Sequence, residues 1–269
     1  MQKDNYVPCS VGILTYNSPY LERCLQSLVD FGEIVVCDGG SSDNTLEIAK
    51  KYGCKIINQS QKEKPINDFA LERNLTLDAS SHDWFFYLDS DEILSPELKK
   101  EIREICSKKN IDYYIYKVPY QIISKDLNTK YKSFKAYYQE RFFNKKSGAH
   151  FIRKIHEKID YDHNKYKSGI LKGCWYVPLD TQLDFKIYKG KVDYRLGILA
   201  ENWQPKNFFD FLQKAIARPI KNIIKQIIKI IYLRLRYKSK EIIPLNYELF
   251  RIYSQLVIIK KFAARYLFF

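Results

Sequence analysis

The segment Trp84-Phe85-Phe86-Tyr87-Leu88-Asp89-Ser90-Asp91-Glu92 sets an apolar run of five residues directly against three carboxylates. Such a run is long enough for one buried strand. A strand in an open α/β sheet presents ligand-binding residues at its carboxyl end. Two aspartates one residue apart offer hard oxygen ligands to a divalent ion such as Mg²⁺ or Mn²⁺, which commonly bridges phosphates. Asp89 and Asp91 are therefore candidate metal ligands, holding an ion against a diphosphate. The alternative is a solvated turn that caps the next helix, because Ser95-Pro96-Glu97 is a good helix start. Spacing alone does not choose between the two.

The surrounding pattern sets the fold class. Val11–Asn17 reads as a strand running into a polar turn, followed by Leu21, Cys24, Leu25 and Leu28 at helical spacing. Glu33–Cys37 is a second strand, stopped by Asp38-Gly39-Gly40-Ser41-Ser42-Asp43, where Ser42 or Asp43 can cap a helix over Asn44–Tyr52. Lys55–Ile57 is a third strand, Phe69–Leu77 a further helix, and Trp84–Leu88 the fourth strand. Strands alternating with helices predict right-handed βαβ units, hence an α/β fold with a mixed, mainly parallel sheet and helices on both faces.

Four segments in order, "GILTYN", "EIVVCDGGSSDNTLEIAKKYG", "FALERN" and "DWFFYLDSDEILSPEL", resemble the family 2 glycosyltransferases of GT-A (Rossmann-like) fold. More narrowly they resemble the bacterial lipopolysaccharide-core β-1,4-glucosyltransferases of that family. The similarity continues through "ERFFNKKSGAHFIRKIHEKI", where the subgroup carries Arg-Leu-Phe and then His-Glu, and it covers roughly the first 200 residues. The resemblance implies that Thr15, Tyr16 and Asn17 lie against the base and ribose of a nucleotide-sugar, expected to be UDP-linked, and that Asp38 accepts hydrogen bonds from the uracil or ribose. Many relatives carry an acidic residue or serine where Gly39 stands, which leaves base identity open. Arg73 and Asn74 match an Arg-Asn pair near the sugar-diphosphate, Asp89 and Ser90 belong to the donor site, and Asp91, with Asp89, would hold the metal. An arginine fork suits a phosphate; the other reading of Arg73 is a surface residue paired with Glu72 or Asp78.

The resemblance also implies an inverting transfer, which needs a base to take the acceptor hydroxyl proton, usually a carboxylate. Glu157 occupies the glutamate of the His-Glu motif. Its alternative is an exposed glutamate among Arg153, Lys154 and Lys158. His156 is expected to orient or pack, and Arg141 and His156 to lie on the acceptor side. His82, His150 and His163 have no metal-ligand spacing, so zinc is not expected.

The six cysteines are scattered without a Cys-x-x-Cys, which fits reduced core thiols. The first six residues contain no apolar signal segment. Both point to a cytoplasmic, cytosol-facing protein.

Net charge divides the chain. Residues 206–269 carry 14 Lys/Arg and 3 Asp/Glu, a balance of +11, whereas 1–205 carry 31 and 28, which leaves only +3 of the total +14. The expected organisation is a catalytic domain over 1–205 and a basic amphipathic helical tail over 206–269. In the tail Lys214, Arg218, Lys221, Lys225 and Lys229 recur at helical steps, with Leu212, Ile216, Ile220, Ile224, Ile227 and Ile231 on the other side. Pro219 is expected to split this pattern, starting a second helix at its first turn. A last helix runs from Asn246 to about Tyr266, with aromatic Phe262, Tyr266, Phe268 and Phe269. No uncharged run approaches the ~20 residues a bilayer span requires. A basic amphipathic helix with aromatic flanks suits peripheral binding to an anionic membrane surface on the inner face of the cell membrane; the alternative is a helix packed on the protein with its lysines in water. No nucleic-acid module is present, and no nucleic acid is expected as partner.

Residues 111–150 are dense in tyrosine and alternate as strands, which is ordinary β packing except near Phe142–His156. The function expected is transfer of glucose or a similar hexose from a nucleotide-sugar to a glycolipid or polysaccharide acceptor such as lipopolysaccharide core. Three rivals remain open at this level. Transfer to a polyprenyl phosphate needs no carboxylate base, a nucleotidyltransferase releases pyrophosphate, and a non-catalytic membrane-binding scaffold binds no sugar nucleotide.

Overall fold

β1 (Val7–Thr15) is buried along almost its whole length between two parallel neighbours, which is why it is nearly continuous in small and apolar residues. The computed structural model describes residues 6–133, 136–179, 184–201 and 203–268. After β1 come α1 (Leu21–Gln26), β2 (Phe31–Asp38), α2 (Thr45–Lys51), β3 (Lys55–Asn58), α3 (Phe69–Asp78) and β4 (Trp84–Asp89). These strands form a parallel block in the order β3-β2-β1-β4. β5 (Ile93–Leu94), α4 (Pro96–Cys106), β6 (Ile115–Ser124) and β7 (Tyr137–Asn144) follow, with β7 antiparallel to both β4 and β6. β8 (His150–Ile152) and β9 (Lys158–Asp160) make a separate hairpin. β10 (Ser168–Ile170) pairs with β6, and β11 (Trp175–Leu179) with β5, completing a mixed, mainly parallel sheet of nine strands.

Alternation along β4 sends its side chains into two cores. Trp84, Phe86 and Leu88 join Leu21, Leu25, Leu98 and Ile102 of α1 and α4 on one face. Phe85 and Tyr87 join Ala70 and Leu77 of α3, with Phe143 and Phe151, on the other. Helices thus cover both faces, as the strand–helix alternation predicts. Gly12 permits one of these close approaches. A Cβ there would lie 2.5 Å from both Phe85 Cζ and Thr76 Oγ1, so glycine lets α3 settle on β1 and brings Arg73, one turn earlier, to the strand ends.

The chain forms two compact units, one of residues 1–122 and 136–178, the other of 123–135 and 179–269. The second unit thus begins before the change in charge at 206. It contains α5 (Phe185–Glu201), α6 (Phe208–Phe211), α7 (Arg218–Arg236) and α8 (Leu245–Phe268). α5 and α7 both pack on α8. Tyr188 stacks on Phe250 with ring centres 4.6 Å apart, and Phe211 on Tyr266 at 4.1 Å. Pro219 opens the second helix at its first turn, as expected, but no break in the helical path precedes it. Leu212–Ala217 widen into a π-helical stretch that runs into α7, and Pro219 sits in the first turn of α7. Lys229, expected in the solvent-facing basic row, is instead buried and paired with Glu248 at 3.0 Å. Met1–Asn5, Phe269 and the Phe268 side chain lie outside the described residues. Among those described, no helix is long and apolar enough to cross a membrane, and all six cysteines are free thiols.

Candidate active site

Register puts the carboxyl ends of three strands side by side: Thr15 pairs with Asp38 on one flank of β1, and Leu14 with Asp89 on the other. β1 is the strand from which the order runs outward in both directions, the place where open α/β sheets bind ligands. Asp89 ends β4 with its side chain 48% exposed, and Asp91 is exposed in the turn that follows. The capping alternative for these carboxylates does not hold. α4 is capped by Ser95, whose Oγ accepts the Leu98 N–H at 3.1 Å, and β5 separates that cap from Asp91.

α3 carries the site's central cation. Arg73 is 2% exposed, so the surface pairing with Glu72 or Asp78 is excluded. Nor does it extend a free fork toward a phosphate. Nη1 donates to the Leu88 carbonyl at 2.9 Å, Nη2 is bonded to Asp89 Oδ1, and Nε lies 3.5 Å from Glu157 Oε1 without a hydrogen bond. Burial alone disfavours its charge, but the Asp89 and Glu157 carboxylates raise it above its ordinary value. Arg73 thus joins the carboxylate at the end of β4 to the one expected to act as base. Glu157 is not an exposed glutamate among lysines; its side chain is 18% exposed and faces Arg73.

The turn bearing Glu157 is held from α3. Asn74, expected near the diphosphate, spends both ends of its amide on the Phe151 backbone at 2.9 Å, and the Phe69 N–H donates to the Lys154 carbonyl at 2.8 Å. In this turn Arg153 and His156 adopt left-handed backbone, φ 76° and 54°, a strained arrangement of the kind that clusters at functional turns. His156 is exposed beside Glu157.

The loop after β2 is ordered by its own side chains. Asp38 is buried; its Oδ2 accepts the Gly40 and Ser41 N–H groups at 2.8 and 2.9 Å, and its Oδ1 accepts the Ser41 hydroxyl at 2.5 Å. Asn17 Oδ1 accepts the Ser42 N–H at 2.8 Å. Both residues order this loop through these oxygens. Asp43 accepts the Thr45 N–H at 2.9 Å, at the start of α2. Two neighbours remain available to a ligand. Tyr16 holds its ring 60% exposed, and the Thr15 hydroxyl is buried without a hydrogen-bond partner. A Cβ on Gly39 would come within 3.2 Å of the Tyr16 ring and 3.1 Å of Gln59 Oε1, so glycine fits the close approach here.

Glu92, the third carboxylate, is the residue that sequence reasoning missed. It turns inward, accepts the Asp89 N–H at 3.0 Å and the Trp175 indole N–H at 3.0 Å, and forms a two-pronged pair with Arg141. Burial pushes its carboxyl up to about 7, against the opposing pull of Arg141. Arg141, expected on the acceptor side, is therefore interior; its guanidinium lies over Trp175 at 4.2 Å and Tyr87 at 4.7 Å. The opposite side of the same pocket of charge is Arg73, over Tyr87 at 4.9 Å. Arg141→Met should lower the unfolding free energy by about 3–5 kcal/mol in urea titration, because it strands a buried carboxylate. Loss of transfer without loss of stability would instead place Arg141 on the acceptor.

Asp89 and Asp91 fit a divalent cation of the hard-oxygen kind. Among the described residues no three His, Cys, Asp or Glu side chains gather to enclose an ion. Two carboxylates would supply part of a shell that Mg²⁺ or Mn²⁺ would complete with other oxygen ligands.

The family model described as Glycosyl transferase family 2 matches residues 10–166. The chain belongs to that family. Its mainly parallel sheet with helices on both faces is a Rossmann-like GT-A arrangement. Among its relatives, the chain is 33% identical over 108 residues to the SPbeta prophage-derived glycosyltransferase SunS of Bacillus subtilis, which covers 39% of this chain and 25% of SunS. It is 30% identical over 141 residues to an uncharacterized glycosyltransferase of Rickettsia bellii, 51% of this chain and 46% of that protein. The chain thus spans less than half the length of these relatives. A solved mannosyltransferase, PcManGT of Pyrobaculum calidifontis in complex with GDP-Man and Mn²⁺, aligns with 97% of this chain and 74% of its own at 12% identity and a TM-score of 0.48.

Proposed function

We propose that this family 2 protein is an inverting, metal-dependent hexosyltransferase that moves a sugar from a UDP-linked donor to the hydroxyl of a glycolipid, such as a lipopolysaccharide core, at the cytoplasmic face of a membrane. The observation that carries the reading is the Asp89–Arg73–Glu157 connection at the carboxyl end of β4. One cation joins a donor-side carboxylate to a second carboxylate placed to take a proton. The donor and acceptor identities rest on the motif resemblance alone. The division into a catalytic part over 1–205 and a membrane-associating part over 206–269 belongs to the same proposal and rests on the charge asymmetry.

In this reading the exposed Tyr16 ring stacks on the base, and the Thr15 hydroxyl makes its missing hydrogen bond to the nucleotide. Asp89 and Asp91 would hold the cation, which supplies positive charge to neutralise the departing diphosphate. Glu92 fixes the Asp89 backbone, so the first of these carboxylates is presented without rearrangement. Glu157 Oε accepts the acceptor hydroxyl proton as its oxygen attacks the anomeric carbon and the bond to the diphosphate breaks. Arg73 keeps Glu157 aimed by charge rather than by a hydrogen bond.

The orphaned hydroxyl gives a test specific to the donor site. A buried polar group without a partner is a stability cost that a ligand can relieve. Thr15→Val should leave the melting temperature unchanged or higher while weakening UDP-sugar binding about 3- to 10-fold, one neutral hydrogen bond, in calorimetric titration. Unchanged affinity would remove Thr15 from the nucleotide site.

A further inference from the structure

α7 turns most of its isoleucines outward. Ile220, Ile224, Ile227, Ile228, Ile231 and Leu235 recur at three- and four-residue steps and are all exposed, Leu235 by 85%. The opposite side of the helix faces α8 and carries polar pairs as well as apolar ones: Asn222 bonds Gln255 at 3.1 Å, and Lys229 bonds Glu248 at 3.0 Å. An amphipathic helix ordinarily does the reverse, burying its apolar stripe against the protein. The sequence pattern, which places Lys229 with the solvent-facing lysines, conceals this orientation.

We propose that this outward ridge is a docking face for an anionic lipid surface, with α7 lying in the plane of the interface. The proposal deepens the membrane-face part of the functional reading, and rests on it only for the purpose of docking. Charge decides the occupant. α7 contains six Lys/Arg residues and no Asp or Glu. Lys221 and Lys225 are exposed along one border of the ridge, Arg234 along the other, and Arg218 and Arg236 are exposed near the two ends. A second copy of the chain docked here would bring a basic rim against a basic rim, whereas anionic headgroups complement it. Aliphatic side chains enter the boundary between headgroups and acyl chains, and the long basic side chains reach back to the phosphates. At 1.5 Å per residue the helix lays down roughly 28 Å of such contact.

The test is sedimentation of the full chain with phosphatidylcholine vesicles, with and without phosphatidylglycerol. The chain should bind the anionic vesicles, bind the neutral ones far less, and release as salt rises. Ile224→Ser combined with Ile231→Ser, both exposed positions, should weaken binding about tenfold or more at an unchanged melting temperature. Lys221→Gln with Lys225→Gln should weaken binding and flatten its salt dependence. Failure of the parent chain to bind anionic vesicles, or parent-like binding by the isoleucine variant, overturns the proposal. So does an isoleucine variant that changes only the oligomeric state, which would make the ridge a self-association face. Transfer to a water-soluble acceptor, measured in the same variants, should be unchanged. Its absence from the parent would overturn the transferase reading and leave the vesicle result standing.

Discussion

Asp91→Ala, or excess chelator on the unaltered chain, should reduce sugar transfer on the order of a thousandfold or more while the protein stays folded. The departing diphosphate carries the charge that develops as the glycosidic bond breaks. Removing the cation that neutralises it withdraws several kcal/mol of transition-state stabilisation, and each ~1.4 kcal/mol is tenfold in rate. Asp91 suits the test because it is exposed and so contributes little to packing. Asp89 suits it less, since its loss would also strand the buried Arg73. Initial rates with and without chelator, with circular dichroism as the check on folding, decide the matter. Full activity in excess chelator would remove the metal from the account.

Glu157→Gln should bind donor normally and transfer sugar ~10²–10⁴-fold more slowly, the usual consequence of removing a general base. The amide keeps the shape of the side chain but cannot take the acceptor proton. His156→Ala should be milder, since His156 is exposed in the strained turn and its loss would act through the geometry of that turn. Donor titration with a parallel transfer assay separates the two effects. Near-normal turnover in Glu157→Gln would favour an anionic acceptor such as a polyprenyl phosphate, which needs no base, or another carboxylate such as Asp160 or Glu140.

The strands and the Asp-x-Asp turn were legible because buried parallel strands require continuous apolar runs, and the carboxylates stand where such a run stops. The βαβ order followed from the same alternation. Side-chain direction was not legible. Arg73 reaches partners 16 and 84 positions away along the chain, and Glu92 reaches Arg141 and Trp175 at separations of 49 and 83. No local period encodes such contacts, so three acidic residues within four positions did not reveal which one turns inward. For the same reason the motifs did not reveal that Asn74 bonds the Phe151 backbone or that Arg141 pairs with Glu92. In α7 the spacing correctly gave two faces, and the burial of Lys229 on Glu248, 19 positions on, decides which face turns outward.

The central claim is that this chain binds a sugar nucleotide and cleaves its bond to the sugar with the help of a divalent ion. Incubation with a panel of UDP- and GDP-hexoses, with and without Mn²⁺, followed by quantification of the released nucleotide, tests it most directly. The account predicts metal-dependent release of UDP from at least one UDP-hexose and a large loss of that release in Asp91→Ala. Release of pyrophosphate would contradict it in favour of nucleotidyl transfer, and absence of binding to every donor would contradict it in favour of a non-catalytic scaffold.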